Sequence, residues 1–297
     1  MNHLPLTIAL AGNPNVGKST IFNALTGSRQ HVGNWPGKTV ERKDGIARLG
    51  DCDVTVVDLP GTYSLNAYSL EEIITRDFII NEHPGLVVTV ADAANLERTL
   101  YLIVQVIELE VPVVLVLNMG DVAQKRGIDI DPAAISTRLG GVPVVETVGT
   151  RSSGIEHLKR TLLDLVLRPP ALHPVRVDYG ERIESEIGAL GQVIQADPVL
   201  SQQFKPRWLA IKLLENDEDL RARLDSAGYH ALIETADQAS GRIHAQADED
   251  AETLITDRRY HFIGEVVHGA VKRAADEIFA NTTTFIKISP NSLKQLP

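Results

Sequence analysis

The sequence predicts an α/β fold: a doubly wound, mainly parallel sheet over residues 1–168, then a small all-α helical domain over residues 176–280. Three observations carry this. In the first half, short continuous apolar runs alternate with amphipathic stretches, the pattern of strands covered on both faces by helices. In the second half the strand signals stop and apolar residues recur at helical spacing. Between the halves, three prolines within residues 168–174 mark a linker, placed at residues 169–175. A length of 297 residues suits two such domains.

Residues 6–11 read as the first strand and run into a Gly-rich turn, after which residues 19–26 begin a helix. Residues 54–59 form a second strand ended by Pro-Gly, and residues 86–91 a third, continuous and β-branched. A helix at 96–109 places Leu96, Leu100, Ile103 and Ile107 on one face. Residues 113–117 and 142–145 are the fourth and fifth strands, and residues 154–166 the closing helix. In the second half the helical series are Ile183, Ile187, Leu190 and Ile194, then Leu209, Leu213 and Leu214, then Tyr260, Ile263, Val267, Val271 and Ile278. Ligands of such a sheet sit at the carboxyl ends of its strands.

Composition narrows the function. Hydrophobic residues at 43% and charged residues at 23% exclude a disordered or collagen-like chain. A net charge of −10 argues against generic nucleic-acid binding, which draws its affinity from Lys and Arg. The lone Cys52 has no disulfide partner within the chain and fits a reducing compartment. The first residues carry no secretion signal. The longest apolar stretch, residues 100–117, is interrupted by Gln105, Glu108, Glu110 and Pro112, so no spanning helix is expected and these residues should be soluble on their own.

The strongest motif is Gly12, Asn13, Pro14, Asn15, Val16, Gly17, Lys18 and Ser19, followed by Thr20. It matches G-x-x-x-x-G-K-[ST] between a strand and a helix, the context of the P-loop NTPases. Glycines let backbone N–H groups approach phosphates at a helix N-terminus. Lys18 should reach the β- and γ-phosphates, and the Ser19 hydroxyl should ligate Mg²⁺. Asp58, Leu59, Pro60 and Gly61 end the second strand. Asp58 suits a Walker-B carboxylate serving Mg²⁺, and Gly61 can offer its N–H to the γ-phosphate. Asn118, Met119, Gly120 and Asp121 end the fourth strand. A carboxylate there can accept from guanine N1–H and the 2-amino group, donors that adenine lacks. Asn118 either braces the loop or reaches the base. Gly149, Thr150 and Arg151, after the fifth strand, could pad the base through their backbone.

Thr39 lies in a turn-rich segment with Gly33, Asn34, Trp35, Pro36 and Gly37, the kind of mobile loop that offers one threonine hydroxyl to Mg²⁺. Residue 62 is a threonine, where Ras-type enzymes carry a water-orienting glutamine. Hydrolysis by this domain alone is therefore expected to be slow or assisted. Asn15 could hold a monovalent cation near the β- and γ-phosphates, or it could simply shape the turn; the residues alone leave both open. Trp35 and Trp208 read as packing residues, His31 and His83 as exposed loop residues, and Glu71, Glu72 and Asp77 as a solvated helix face.

Together these motifs resemble the translation-factor-related GTPases. Residues 27–43, 58–65 and 92–98 more closely resemble the bacterial ferrous iron transport protein B family, and residues 207–215 continue the likeness. The resemblance implies a GTPase domain and a helical domain like a nucleotide-dissociation inhibitor, preceding a multi-spanning membrane domain that takes up Fe²⁺. The chain would then lie on the cytoplasmic face of the bacterial inner membrane. The implied cofactors are GTP or GDP, Mg²⁺ and K⁺. Asn15 matches the asparagine of K⁺-stimulated hydrolysis, Gly33 to Trp35 the stretch whose backbone oxygens meet that ion, and Thr39 the Mg²⁺-contacting threonine. Implied catalytic residues are Asn15, Lys18, Thr39 and Gly61. Implied partners are the guanine nucleotide, the membrane domain, small cytosolic accessory proteins and further copies of the chain, with no nucleic acid.

The chain departs from the family at Gly120, where a bulky apolar residue is usual, at Gly149, where serine is usual, and at Lys38. The tail, residues 281–297, does not read like the family's junction to a membrane helix. Two rivals remain: a K⁺-dependent GTPase acting on RNA, and a guanine-nucleotide sensor whose hydrolysis is too slow to matter.

Overall fold

The computed structural model describes residues 6–27, 30–168 and 175–273. The first half comprises β1 (Thr7–Gly12), α1 (Lys18–Thr26), β2 (Gln30–Asn34), β3 (Glu41–Leu49), β4 (Cys52–Asp58), α2 (Leu70–Glu82), β5 (Leu86–Asp92), α3 (Leu96–Glu108), β6 (Val113–Asn118), α4 (Gly120–Lys125), β7 (Ile128–Ile130), α5 (Pro132–Arg138), β8 (Val144–Glu146) and α6 (Ile155–Leu167). Seven strands form one sheet in the order β2-β3-β4-β1-β5-β6-β8. The five strands from β4 to β8 are parallel, as the apolar runs predict. The sheet is extended by β3 and β2, which pair antiparallel.

Both faces of the sheet are covered. Ile8, Leu10 and Val88 pack with Ile21 and Phe22 of α1 and Leu158 and Leu162 of α6. The alternate residues Ala9, Val57 and Val87 face the other way, into a core shared with α2, α3 and the helical half. On α3, Leu96, Leu100, Ile103 and Ile107 are buried as predicted, but so are Tyr101, Leu102, Val104 and Gln105. The helix is buried nearly all round because residues 251–268 of the second half pack as a helix on its outer side.

The second half comprises α7 (Glu181–Ala196), α8 (Pro198–Gln203), α9 (Pro206–Leu214), α10 (Glu218–Ser226), α11 (His230–Ala247), α12 (Ala251–His268) and a strand, β9 (Val271–Arg273). The predicted apolar faces of α7 and α9 are buried. Central in this half is α9, whose residues from Trp208 to Leu214 are all enclosed, against α7 and α11.

Four expectations need correction. Residues 30–34 are an edge strand rather than a loop, so His31 is exposed on a strand. Val271 leaves the helical series and pairs with Ile130 in a short strand, β9, antiparallel to β7 of the first half. Tyr260 is 52% exposed and stacks on Tyr101 instead of entering the core. Glu72 is not solvated; it is 7% exposed and completes a capping box with Ser69 at the start of α2. Most of the linker, Ile278 and the tail fall outside the described residues. Among the described residues no helix is long and apolar enough to cross a membrane.

Candidate nucleotide site

Four loops leave the carboxyl ends of β1, β4, β6 and β8, and the P-loop, Asp58, Asn118 and Asp121 lie on these loops or on the strand ends and helix starts that flank them. Parallel pairing brings Asp58 level with Leu10 and Asn118 level with Asp92. Beyond the strands the register continues, with Leu59 N–H donating to Leu10 O (3.0 Å) and Thr62 N–H to Gly12 O (3.2 Å). Residues 58–62 are thus laced to the P-loop by backbone, and the Gly61 α-carbon approaches Pro14 with no side chain between.

The P-loop ends in Gly17, the N-cap of α1, at φ 85°. A Cβ there would lie 2.3 Å from Asn118 Nδ2, so glycine is demanded twice, by conformation and by contact. No acidic side chain occupies the first turn of α1, which leaves its N–H groups available to an anion. Asn15 is exposed at φ 66°, in a region that asparagine enters more readily than most residues.

Lys18 Nζ donates to Asp58 Oδ1, and both side chains are nearly buried. Burial pushes the Asp58 carboxyl up, and the Lys18 ammonium opposes this without cancelling it. This cation and carboxylate lie beside an amide-lined loop, a donor set that fits a phosphate with a hard divalent ion. Ser19, next to Lys18 in sequence, is exposed at the first turn of α1.

Asn118 settles as a brace. Its Nδ2 donates to Val16 O (2.9 Å), and its Oδ1 accepts from Thr147 Oγ1 (3.1 Å) and Gly149 N–H (3.0 Å). One buried amide therefore joins three loops. Thr147 was not among the expected site residues, although a hydroxyl directly after a strand and two residues before a glycine could have flagged it. Met119 follows at φ 62° and starts α4, which carries Asp121. Asp121 Oδ2 lies 3.7 Å from Arg151 Nη2. Gly149, Thr150 and Arg151 form a single 3₁₀ turn. A Cβ on Gly149 would approach Thr20, Ile21 and Asn118 at 3.1–3.4 Å, whereas one on Gly120 would meet only Thr147 O at 3.9 Å.

The segment with Thr39 stands apart. Gly33 and Asn34 pair with β3, and Trp35 O accepts from Lys38 N–H (2.9 Å). Trp35 is buried edge-on against Phe78, with Arg42 over its ring. Thr39 is exposed, as are Pro36 and Gly37. Among the described residues no hydrogen bond ties Gly33, Asn34 or Thr39 to the P-loop. Among the same residues no three His, Cys, Asp or Glu side chains gather to hold a metal.

Sequence profiles match this architecture. That of ferrous iron transport protein B matches residues 6–162, and that of the FeoB cytosolic helical domain matches residues 179–272. The Fe(2+) transporter FeoB of Escherichia coli K12 is 42% identical over 297 residues, covering 98% of this chain and 37% of the relative. A Fe(2+) transport protein A/Fe(2+) transporter FeoB fusion protein of Porphyromonas gingivalis is 42% identical over 272 residues, covering 90% of this chain and 32% of the relative. The chain thus spans about a third of the length of these relatives. The crystal structure of an S. thermophilus NFeoB E67A mutant bound to GDP superposes with a TM-score of 0.80 at 36% identity, covering 90% of this chain and 100% of that one. With a profile spanning the whole first half and its loops built as described, the chain belongs to the ferrous iron transport protein B family.

Proposed function

We propose that the chain is a GTP-binding and GTP-hydrolysing module of a protein that takes up Fe²⁺, working on the cytoplasmic side of a bacterial inner membrane. The observation that supports this most is the convergence of Lys18, Asp58 and the Asn118 brace on one loop cluster. The GDP-bound relative supports a guanine nucleotide as ligand.

In this reading Lys18 leaves Asp58 and turns to the β- and γ-phosphates. P-loop amides and the Gly61 N–H hold the γ-phosphoryl oxygens, and Asp121 reads the guanine edge. Water attacks the γ-phosphorus as the bond to the bridging oxygen breaks, with no covalent enzyme intermediate. When bound, Mg²⁺ near Ser19, Thr39 and Asp58 and K⁺ near Asn15, Gly33 and Trp35 would supply positive charge to the transferring phosphoryl group. Thr62 does not orient the water: it is buried, and its hydroxyl donates to Ser64 O (2.8 Å). That observation also favours a second reading, a nucleotide sensor with slow hydrolysis. Single-turnover hydrolysis faster than nucleotide release would sink it.

The helical half touches the segment after Gly61. Lys212 Nζ donates to Asn66 Oδ1 (2.6 Å), and Gln105 bonds both Asn66 Oδ1 (3.0 Å) and Leu65 N–H (2.7 Å). The Lys212 contact, made by α9, supports a helical domain that responds to the bound nucleotide, while Gln105 of α3 holds the same segment from within the first half. Crosslinks between Asn66 and α9 that never vary between GDP and GTP states would count against it.

The primary test is GTP turnover with Mg²⁺ in KCl and in NaCl, for wild type, Asn15→Gly and Asn15→Ala. Glycine keeps the positive φ and removes only the amide; alanine adds roughly 1–2 kcal/mol of backbone strain. Selective K⁺ stimulation lost in both variants makes the Asn15 side chain the ion's ligand. Stimulation kept by Asn15→Gly makes Asn15 a turn former. Wild-type rates equal in both salts remove K⁺ from the mechanism.

A further inference from the structure

Arg151 is the residue whose placement the proposed mechanism leaves unexplained. Its backbone is fixed, because Arg151 N–H donates to Val148 O (2.9 Å) and Val148 closes a bridge to Ser153. Its side chain is 66% exposed and extends back over Asp121, 24% exposed. Among the described residues Asp121 is its only ionic partner. The two lie on the wall of a cleft of about 360 Å³, bordered also by Gly120, Thr147 and Val148.

The chemistry of the pair is informative. Guanine presents N1–H and the 2-amino group to a carboxylate, two donors on one N–C–N unit. An arginine side chain presents the same unit, with a positive charge added. We propose that Arg151 is an intramolecular stand-in for the guanine edge: it engages Asp121 in the nucleotide-free protein and must release it before the base docks. This inference rests on Asp121 as the base-reading carboxylate. Release requires no backbone change, since Gly149 N–H stays bonded to Asn118 and only an exposed side chain swings away. Arg151 therefore lowers affinity for guanine nucleotides without touching the phosphates.

An exposed pair of this kind is worth little, so the effect is small and measurable. Arg151→Ala should tighten GDP binding about two- to fivefold in isothermal titration. The gain should shrink at high NaCl, where the pair in the wild type is already screened. The decisive arm uses Asp121→Asn. Xanthine carries a carbonyl where guanine carries the 2-amino group, so the amide variant should prefer XDP to GDP. In that background no carboxylate remains for Arg151 to hold, and Arg151→Ala should leave XDP affinity unchanged. If Arg151→Ala weakens GDP binding or leaves it unaltered, the stand-in role is wrong and Arg151 packs on the base or does nothing. An XDP affinity that also changes with Arg151→Ala overturns it too, because Arg151 would then act by a route independent of the Asp121 charge. If Asp121→Asn fails to trade GDP for XDP, the base-reading role itself falls, and the stand-in with it.

Discussion

Lys18 and Asp58, separated by 40 residues, satisfy one another's charge across the floor of the candidate nucleotide site. The pair has two separable functions. On the proposed reading Lys18→Ala removes the charge that turns to the phosphates and should weaken GDP binding about a hundredfold, the scale of one or two charge-assisted hydrogen bonds. It also strands a nearly buried carboxylate, at a cost of about 1–3 kcal/mol in urea denaturation. Asp58→Asn added to Lys18→Ala should return part of that stability and none of the binding. Recovery of both together would mean that Lys18 acts only on the fold.

Glycines at this site differ in how much they tolerate. Gly17→Ala should abolish GDP binding, because its Cβ would overlap the Asn118 amide and its φ is positive. Gly120→Ala should bind GDP within about twofold of wild type, since its Cβ meets only ordinary contact. Gly149→Ala should fall between them, pressing on Thr20 and Ile21. Fluorescence titration of the three variants gives the ranking directly, and a tolerant Gly17→Ala would refute the interlock.

The two halves of the chain share a buried ionic centre. Arg259, fully buried on α12, donates to Glu108 at the end of α3 (2.9 and 3.1 Å) and to Glu215 after α9. Arg259→Met should destabilise the protein by about 3–5 kcal/mol, because two buried carboxylates lose their shared counter-charge. Adding Glu108→Gln and Glu215→Gln should restore part of it. Fluorescence and circular dichroism transitions that cease to coincide in Arg259→Met would show the halves unfolding separately.

Acid should attack the same centre. Burial alone would raise the Glu215 carboxyl, but the charges of Arg259 and Lys212, with their hydrogen bonds, hold it at about 2 against an ordinary 4.5. A depressed carboxylate contributes stability above its unfolded value and loses it as pH falls between the two. Unfolding free energy should therefore drop from about pH 4.5 toward pH 2. Glu215→Gln should be less stable at pH 7 and show a shallower decline. An equally steep decline in that variant would assign acid sensitivity elsewhere.

The legible parts of this fold were those with one strong periodicity. Strands β1, β5 and β6 are nearly continuous apolar runs buried on both faces, β4 ends in the buried run Val56 to Asp58, and the P-loop is a fixed spacing between a strand and a helix. The strand β2 gave no such signal because all five of its residues are exposed. A short strand at the end of a helical period is equally silent, which is why Val271 read as helix. Glu72 read as solvated because charge usually is; its carboxylate instead accepts from Ser64 Oγ (2.6 Å) and Ser69 N–H (3.1 Å). The loop motifs were legible residue by residue, but not the Asp121–Arg151 pairing, which joins two exposed side chains 30 positions apart.

The Asn118 brace joins Val16, 102 residues before it, to Gly149, 31 residues after it. A growing polypeptide that has exposed its P-loop therefore still lacks the parts that shape it. Contacts of such sequence separation form late, after the loop-closure entropy has been met. Nucleotide capture should thus begin only when residue 149 has left the ribosome and β8 has docked. A chain released before that point would have every residue of its phosphate motif and no site.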